Sequence, residues 1–217
     1  SKETGTQMTF SLYLPPAAED GPVPVVLYLS GLTCTHANVT DKGGFQRVCA
    51  ELGLAFLAPD TSPRGLDLPG EHAPCLDLED IAITGHSMGG HGALTLGLKR
   101  PDLFKAISAF APISSPIHCP WGQKALGGYL GDDPAAWRRY DACALIEDGA
   151  RCEAGILVDQ GLSDQFLSEQ LKPELLEETC RVAGQPLTLH RQDGYDHSYF
   201  FIATFMEDHL RWLGERL

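Results

Sequence analysis

Short apolar segments alternate along this chain with segments of helical spacing, and this alternation restricts the fold more than any other feature. Strands are predicted at residues 24–29, 54–58, 81–84, 106–110, 156–159 and 187–191. Helices are predicted at residues 44–52, 87–98, 173–182 and 199–213. Residues 8–14 alternate weakly and end at two prolines, which predicts an edge strand. The order predicts an α/β fold in three layers, with helices flanking a mostly parallel sheet.

The charge of the chain narrows the classes of partner that it could bind. Sixteen Lys and Arg residues against 29 Asp and Glu residues give the 217-residue chain a net charge of −13. Nucleic acids and anionic membrane surfaces select basic patches, so neither is expected as a partner. No apolar run is long enough for a transmembrane helix.

The cysteines indicate a compartment and argue against a metal site. There are seven, an odd number, and they form no C-x-x-C pair. Such usage favours a reducing compartment over a disulfide framework, and we expect a cytoplasmic protein. Cys34 lies close to His36 in the sequence, and His118 is next to Cys119, but such pairs supply too few ligands to predict zinc or another metal.

The sharpest motif is Gly85-His86-Ser87-Met88-Gly89, a G-x-S-x-G sequence between a predicted strand and a predicted helix. A tight turn of this kind projects a serine hydroxyl from the edge of a sheet. Ser87 is therefore the predicted nucleophile. The amide of Met88, at a helix N-terminus, is a predicted oxyanion donor. A second donor is expected from the loop after the strand at 24–29, where Gly31 permits close approach and the amide of Leu32 is the candidate.

A serine nucleophile needs a base, and the base needs a carboxylate that orients it. In this fold the chain order is Ser, then Asp or Glu, then His, which selects Asp164 and His197, each in a loop after a predicted strand. Asp159 is an alternative orienting carboxylate to Asp164, but it lies on or beside its strand. Asp196 is next to His197 in the sequence, and its side chain is expected to point away from that histidine. Structural roles, in packing or hydrogen bonding, are expected for His86, His91 and His190.

Seven segments together resemble the S-formylglutathione hydrolases, the esterase D group of the α/β-hydrolases. Among them are Gly85-His-Ser-Met-Gly-Gly-His-Gly92, Cys119-Pro-Trp-Gly-Gln-Lys124 and Gly194-Tyr-Asp-His-Ser-Tyr199. The others lie at residues 27–35, 58–65, 108–113 and 159–167, so the resemblance covers nearly the whole chain in order.

The resemblance implies an α/β-hydrolase fold and a serine hydrolase that cleaves S-formylglutathione to formate and glutathione in formaldehyde detoxification. The resemblance also implies that simple esters are further substrates and that neither a metal nor an organic cofactor is used. The family's catalytic triad falls on Ser87, Asp164 and His197, and its oxyanion amides fall on Leu32 and Met88. Cys34 matches a family cysteine near the active site, although a small buried hydrophobe would also suit that position. A homodimer is left open.

Two features of the substrate site can be added from the residues themselves. Trp121 is a candidate wall of a tight acyl pocket, with a partly exposed core tryptophan as the competing interpretation. Glutathione is anionic, so an acidic protein needs local cations to bind it. Lys42, Arg64 and Lys124 lie near the motif loops, and the sequence does not choose among them.

The interval at 59–81 departs from the pattern. It contains Pro63, Pro69 and Pro74 and has no helical period, although parallel neighbours need a crossover that is usually helical. Members of the resembled family carry a few tens of residues between the equivalents of Glu71 and Leu78, and a stretch before Ser1. We therefore expect residues 1–217 to form a single α/β-hydrolase domain that lacks an N-terminal stretch and a segment between about 71 and 78.

Rival functions stay open at this point. An acyltransferase of the same fold would pass the acyl group to an alcohol in place of water. A catalytically impaired, hydrolase-like binding protein would follow if the missing segment opened the acyl pocket. A redox-sensing role of Cys34 is a third alternative.

Overall fold

The computed structural model describes residues 9–60 and 76–217, with the side chains of 76–79 excepted. Seven strands form one sheet in the order β1-β3-β2-β4-β5-β6-β7. Their bounds are β1 Phe10–Tyr13, β2 Val23–Leu29, β3 Ala55–Pro59, β4 Leu76–Gly85, β5 Phe104–Phe110, β6 Ile156–Gly161 and β7 Leu187–Gln192. Strand β1 runs antiparallel to β3, and the other pairs are parallel. The predicted edge strand and mostly parallel sheet are therefore confirmed.

Eight α-helices connect or cover these strands in the described residues. They are α1 His36–Lys42, α2 Gln46–Leu52, α3 Met88–Lys99, α4 Pro120–Leu130, α5 Pro134–Trp137, α6 Ala142–Glu147, α7 Pro173–Ala183 and α8 Tyr199–Gly214. The four predicted helices correspond to α2, α3, α7 and α8. Gly53 and Gly184 end α2 and α7 in the left-handed conformation, as their sequence positions predict.

The sequence analysis did not predict the helices α1, α4, α5 and α6. Helices α5 and α6 are only four and six residues long, too short for apolar periodicity to register, and α1 buries a single residue, Val39. Helix α4 contains three glycines, which lower helix propensity. One of them, Gly122, is required by packing, because a Cβ there would lie 2.1 Å from the carbonyl oxygen of Pro116.

The core lies in two layers, one on each face of the sheet. Alternate residues of a strand point to opposite layers: in β5, Phe110 packs with the α8 residue Phe201, and Ile107 packs with the α3 residue Leu94. Helices α1, α2 and α8 cover one face, and α3, α6 and α7 cover the other. This is the three-layer arrangement that the sequence predicted.

The carboxyl ends of the parallel strands meet at one edge of the sheet, where open α/β sheets hold their sites. Ser87, Asp164 and His197 all lie just after strands that end there. The interval at 59–81, for which the sequence predicted no crossover helix, lies mostly outside the described residues. None of the helices in the described ranges is both long and apolar enough to cross a membrane.

Candidate active site

Ser87 occupies a strained turn between β4 and α3. Its φ of 57° and ψ of −115° are rarely adopted by a residue with a side chain. Two neighbouring strands hold the turn in place. The amide of Ser87 donates to the carbonyl oxygen of Phe110 at 2.9 Å, and that of His86 donates to the oxygen of Leu29 at 3.1 Å. The serine is thereby fixed at the carboxyl edge of the sheet, with the residue 5% exposed.

The two outer glycines of the motif are required by close packing of the turn. A Cβ at Gly85 would lie 2.4 Å from the carbonyl oxygen of Gly89. A Cβ at Gly89 would lie 2.1 Å from the carbonyl oxygen of Leu29, on the adjacent strand. Because both obstacles are backbone atoms, no side-chain rotation can relieve them, and any larger residue must push α3 away from the sheet.

Replacing Gly89 with alanine is expected to destabilise the protein by about 3 kcal/mol or more, since the added methyl overpacks the turn. Gly128→Ala is the matched control, because nothing lies within 4 Å of a Cβ at that helical position. The control should be neutral or stabilising by about 0.4–1 kcal/mol. Urea unfolding of both variants gives the measurement. A Gly89→Ala protein as stable as wild type would contradict the packing described above.

The structure brings the predicted base and its predicted orienting carboxylate into direct contact. Nδ1 of His197 lies 2.5 Å from Oδ2 of Asp164, whose side chain is fully buried. The other carboxylate oxygen of Asp164 accepts from the amide of Phe166 at 2.8 Å. With Nδ1 engaged in this way, the second ring nitrogen of His197 is left to act on a substrate or on a nucleophile.

The base lies beside the turn that carries the nucleophile. The ring of His86, the residue before Ser87, packs against the ring of His197 with centroids 4.4 Å apart. Within the described residues Ser87 Oγ makes no hydrogen bond to His197. Such catalytic bonds are often long in a free enzyme and shorten when substrate binds.

The loop with the first predicted oxyanion amide packs against the serine turn. A Cβ at Gly31 would lie 3.0 Å from Nδ1 of His86 and 3.5 Å from Cβ of Ser87, so a bare backbone is needed there. The amides of Leu32 and Met88 donate to no acceptor in the part of the chain that the structure describes. Both remain able to donate to a negatively charged oxygen beside Ser87.

An aromatic series links the predicted pocket wall to the base. Trp121, on α4, is 38% exposed and packs on Phe166 with ring centroids 4.8 Å apart. Phe166 in turn meets the ring of His197 edge to face at 5.1 Å. Phe166 lies in the resembling segment 159–167, but the sequence analysis gave it no role, because its contacts join residues far apart in the chain.

Cys34 lies half-buried beside a group of polar side chains under the loop at 30–34. Tyr199, the first residue of α8, reaches this group, and burial raises the pKa of its hydroxyl to about 12, helped by the neighbouring Cys34. Tyr28 is completely buried there, and burial raises the pKa of its hydroxyl well above the usual value. The group connects the loop of Leu32 with the helix that follows His197.

The competing carboxylate Asp159 has a different partner. It accepts from Nε2 of the fully buried His209 at 2.8 Å and is also hydrogen-bonded to Gln192. Burial alone would raise the pKa of Asp159, but these hydrogen bonds and His209 lower it on balance. Asp196 accepts from the amide of Ser198 at 3.0 Å and makes no hydrogen bond to His197 within the described residues. The geometry thus favours Asp164 over both alternatives.

The candidate cations and ligand groups are only partly described. Lys42 lies in the last turn of α1 and Lys124 lies in α4, whereas Arg64 is outside the described residues. Within the described ranges no group of three or more His, Cys, Asp or Glu side chains is arranged to hold a metal ion.

Two histidines near the serine turn should make the free energy of unfolding decrease at acidic pH. Burial, with a smaller effect of His197, lowers the pKa of His86 to about 3, and burial lowers that of His91 to about 4. The unfolded chain therefore binds their protons first, starting near pH 6.5. Stability should be complete above that pH and fall as pH drops, by about 1.4 kcal/mol per pH unit for each histidine.

Urea unfolding between pH 7 and pH 4.5 measures this loss. In a His91→Phe variant the slope of stability against pH should decrease by about 1.4 kcal/mol per pH unit, because one of the two titrating rings has been removed. Constant stability from pH 6.5 to pH 5 would show that these rings are not buried in neutral form.

Comparisons with known proteins identify the family of the chain. The esterase family model matches residues 1–74 and 70–212. An S-formylglutathione hydrolase of Paracoccus denitrificans is 46% identical over 257 residues, covering 100% of this chain and 91% of the relative. An S-formylglutathione hydrolase of Arabidopsis thaliana is 45% identical, and its alignment covers 97% of this chain and 88% of the plant protein. The solved structure of an S-formylglutathione hydrolase from Agrobacterium tumefaciens superposes with a TM-score of 0.93 at 47% identity, covering 100% and 92% of the two chains.

Proposed function

Because the chain belongs to the S-formylglutathione hydrolases of the esterase family, we propose that it cleaves S-formylglutathione to formate and glutathione with Ser87 as the nucleophile. The observation that carries the proposal is the contact between His197 and Asp164 beside the strained turn of Ser87. General carboxylesterase activity on small esters follows from the same chemistry. This reaction, from S-formylglutathione to formate, is a step of formaldehyde detoxification.

The reaction begins with attack of Ser87 Oγ on the thioester carbonyl carbon. The second nitrogen of His197 accepts the hydroxyl proton, and the buried carboxylate of Asp164 stabilises the imidazolium that forms. The hydrogen bond to Nδ1 holds the ring in the tautomer that leaves the other nitrogen free to accept. The strained turn at Ser87 projects its hydroxyl from the carboxyl edge of the sheet, next to the base.

The tetrahedral intermediate carries a negative oxygen, and the amides of Leu32 and Met88 are the donors that we propose for it. Removing one such donor in other serine hydrolases costs roughly 3–4 kcal/mol of transition-state stabilisation. The carbon–sulfur bond then breaks, glutathione takes the proton from His197 and leaves, and the formyl group stays on Ser87. A water molecule, activated by His197, releases formate and restores the serine.

The acyl group of the substrate is the smallest one possible, so a narrow pocket suits it. Trp121, held against Phe166 and through it against His197, is our proposed wall of that pocket. Cys34 is proposed to line the pocket near the oxyanion loop.

Hydrolysis of S-formylglutathione, followed by glutathione release, tests the proposed function. p-Nitrophenyl acetate serves as the small-ester comparison. Products should be formate and free thiol even when a simple alcohol is present. Transfer of the formyl group to the alcohol in preference to water would overturn hydrolysis in favour of acyl transfer.

Two further proposals concern the whole protein. We propose that residues 1–217 are one domain lacking a segment near 71–78, since the alignment with the Paracoccus denitrificans enzyme spans 257 residues and the two family-model matches meet at 70–74. We propose a cytoplasmic location, supported by free thiols at all six cysteines in the described ranges.

A further inference from the structure

His86 is a buried side chain that the mechanism above does not use. The residue is 5% exposed, and neither of its ring nitrogens has a hydrogen-bond partner in the described part of the chain. A buried polar group without a partner costs free energy that an apolar side chain would avoid. A histidine at this position, one residue before the nucleophile, therefore indicates a role other than stabilising the fold.

The ring of His86 fills the space between the two halves of the site. On one side it meets the ring of His197 at 4.4 Å between centroids, tilted by 44°. On the other side it lies so close to Gly31 that a Cβ there would approach Nδ1 to 3.0 Å. The ring of Tyr199, at 6.2 Å, lies at the more distant edge. His86 thus separates the oxyanion loop from the base while touching both.

The charge state of His86 suits such a contact. Burial and the nearby His197 lower its pKa to about 3, so the ring stays uncharged wherever the enzyme would work. A neutral aromatic face can lie against His197 both before and after that base takes up a proton. A second cation in the same place would repel the imidazolium.

We propose that His86 is a positioning residue, whose aromatic ring holds His197 and the backbone of Gly31 at the spacing that the Ser87 reaction needs. This inference rests on the proposed function, because it takes His197 as the base. Asp164 fixes one end of the base through a hydrogen bond, and His86 restrains the face of its ring. Misplacement of a catalytic group by about 1 Å can cost about 100-fold in rate.

Two substitutions at His86 separate ring contact from general stability. His86→Asn removes the aromatic face, and kcat for S-formylglutathione should fall roughly 10- to 100-fold with KM changed by less than about 3-fold. His86→Phe restores an aromatic face without ring nitrogens and should recover most of the lost kcat. His91→Phe replaces a half-buried histidine on α3 that makes no ring contact with His197, and this control should retain wild-type kcat.

The outcomes are distinct. An Asn variant with wild-type kcat, or a Phe variant as slow as the Asn variant, would overturn a positioning role of the ring. A fall in unfolding temperature without the change in kcat would mean that His86 acts in folding alone, and would overturn it as well. Wild-type turnover of S-formylglutathione is measured in the same experiment. Its absence would count against the proposed function, whichever result the His86 variants give.

Discussion

Replacing Ser87 with alanine is expected to lower kcat for S-formylglutathione by at least about 10,000-fold, because no other group can form the acyl-enzyme. Loss of the nucleophile in other serine hydrolases has effects up to about a million-fold. Binding and the oxyanion donors remain, so a small residual rate above the uncatalysed reaction should persist. The fold should be unaffected, since the Ser87 hydroxyl makes no hydrogen bond within the described residues. Initial rates at saturating substrate, with the unfolding temperature of each protein, give the comparison.

Ser114→Ala provides the matched control. Its hydroxyl is also buried and has no hydrogen-bond partner in the described ranges, but the residue lies in the loop after β5 and not in the turn of Ser87. We expect the control to keep wild-type kcat. A Ser87→Ala protein that turned over at one tenth of the wild-type rate or faster would exclude Ser87 as the nucleophile.

Asp164→Asn is expected to lower kcat by about 10,000-fold while changing KM little. The carboxylate accepts a hydrogen bond from Nδ1–H of His197 at 2.5 Å. An amide can offer its own N–H to that nitrogen, which would favour the tautomer with the proton on the nitrogen that should accept from Ser87. An amide also stabilises the imidazolium less, because it carries no charge. The whole loss should therefore appear in the chemical step.

Two other carboxylates serve as comparisons for Asp164. Asp196→Asn alters the residue next to His197 in sequence and should reduce kcat by less than about 3-fold, since its carboxylate faces the amide of Ser198. Asp159→Asn keeps a carbonyl oxygen for His209 but replaces the acceptor that faces Gln192 with a donor, and should destabilise the fold by about 1–3 kcal/mol. If Asp159→Asn lost activity at full stability while Asp164→Asn kept it, Asp159 would be the orienting residue.

Much of the fold was predictable because the signals are local. Strands β2, β3 and β5 carry apolar runs, and the glycines at 53 and 184 end their helices as expected. The candidate site followed from fold rules that fix which loops meet: residues after parallel strands share one edge, so Ser87, Asp164 and His197 could be grouped without coordinates.

The unpredicted part depends on contacts distant in sequence. Phe166 touches both Trp121 and His197, and His209 pairs with Asp159 from 50 residues away. Neither relation leaves a periodic or spaced pattern. Helix α4 contains three glycines, so its propensity opposed the helix that tertiary packing imposes. The role of His86 was predicted only as packing or hydrogen bonding, and the structure decides for packing because its nitrogens have no partner among the described residues.

The central claim is that Ser87 forms the covalent intermediate with S-formylglutathione, and peptide mapping after fluorophosphonate treatment tests it most directly. The reagent should add to one residue, and mass spectrometry of the digested protein should place the adduct on Ser87. Prior addition of S-formylglutathione should slow labelling in proportion to its occupancy of the site, whereas glutathione disulfide at the same concentration should protect less. An adduct on another residue, or labelling at Ser87 that the thioester leaves unchanged, would contradict the account.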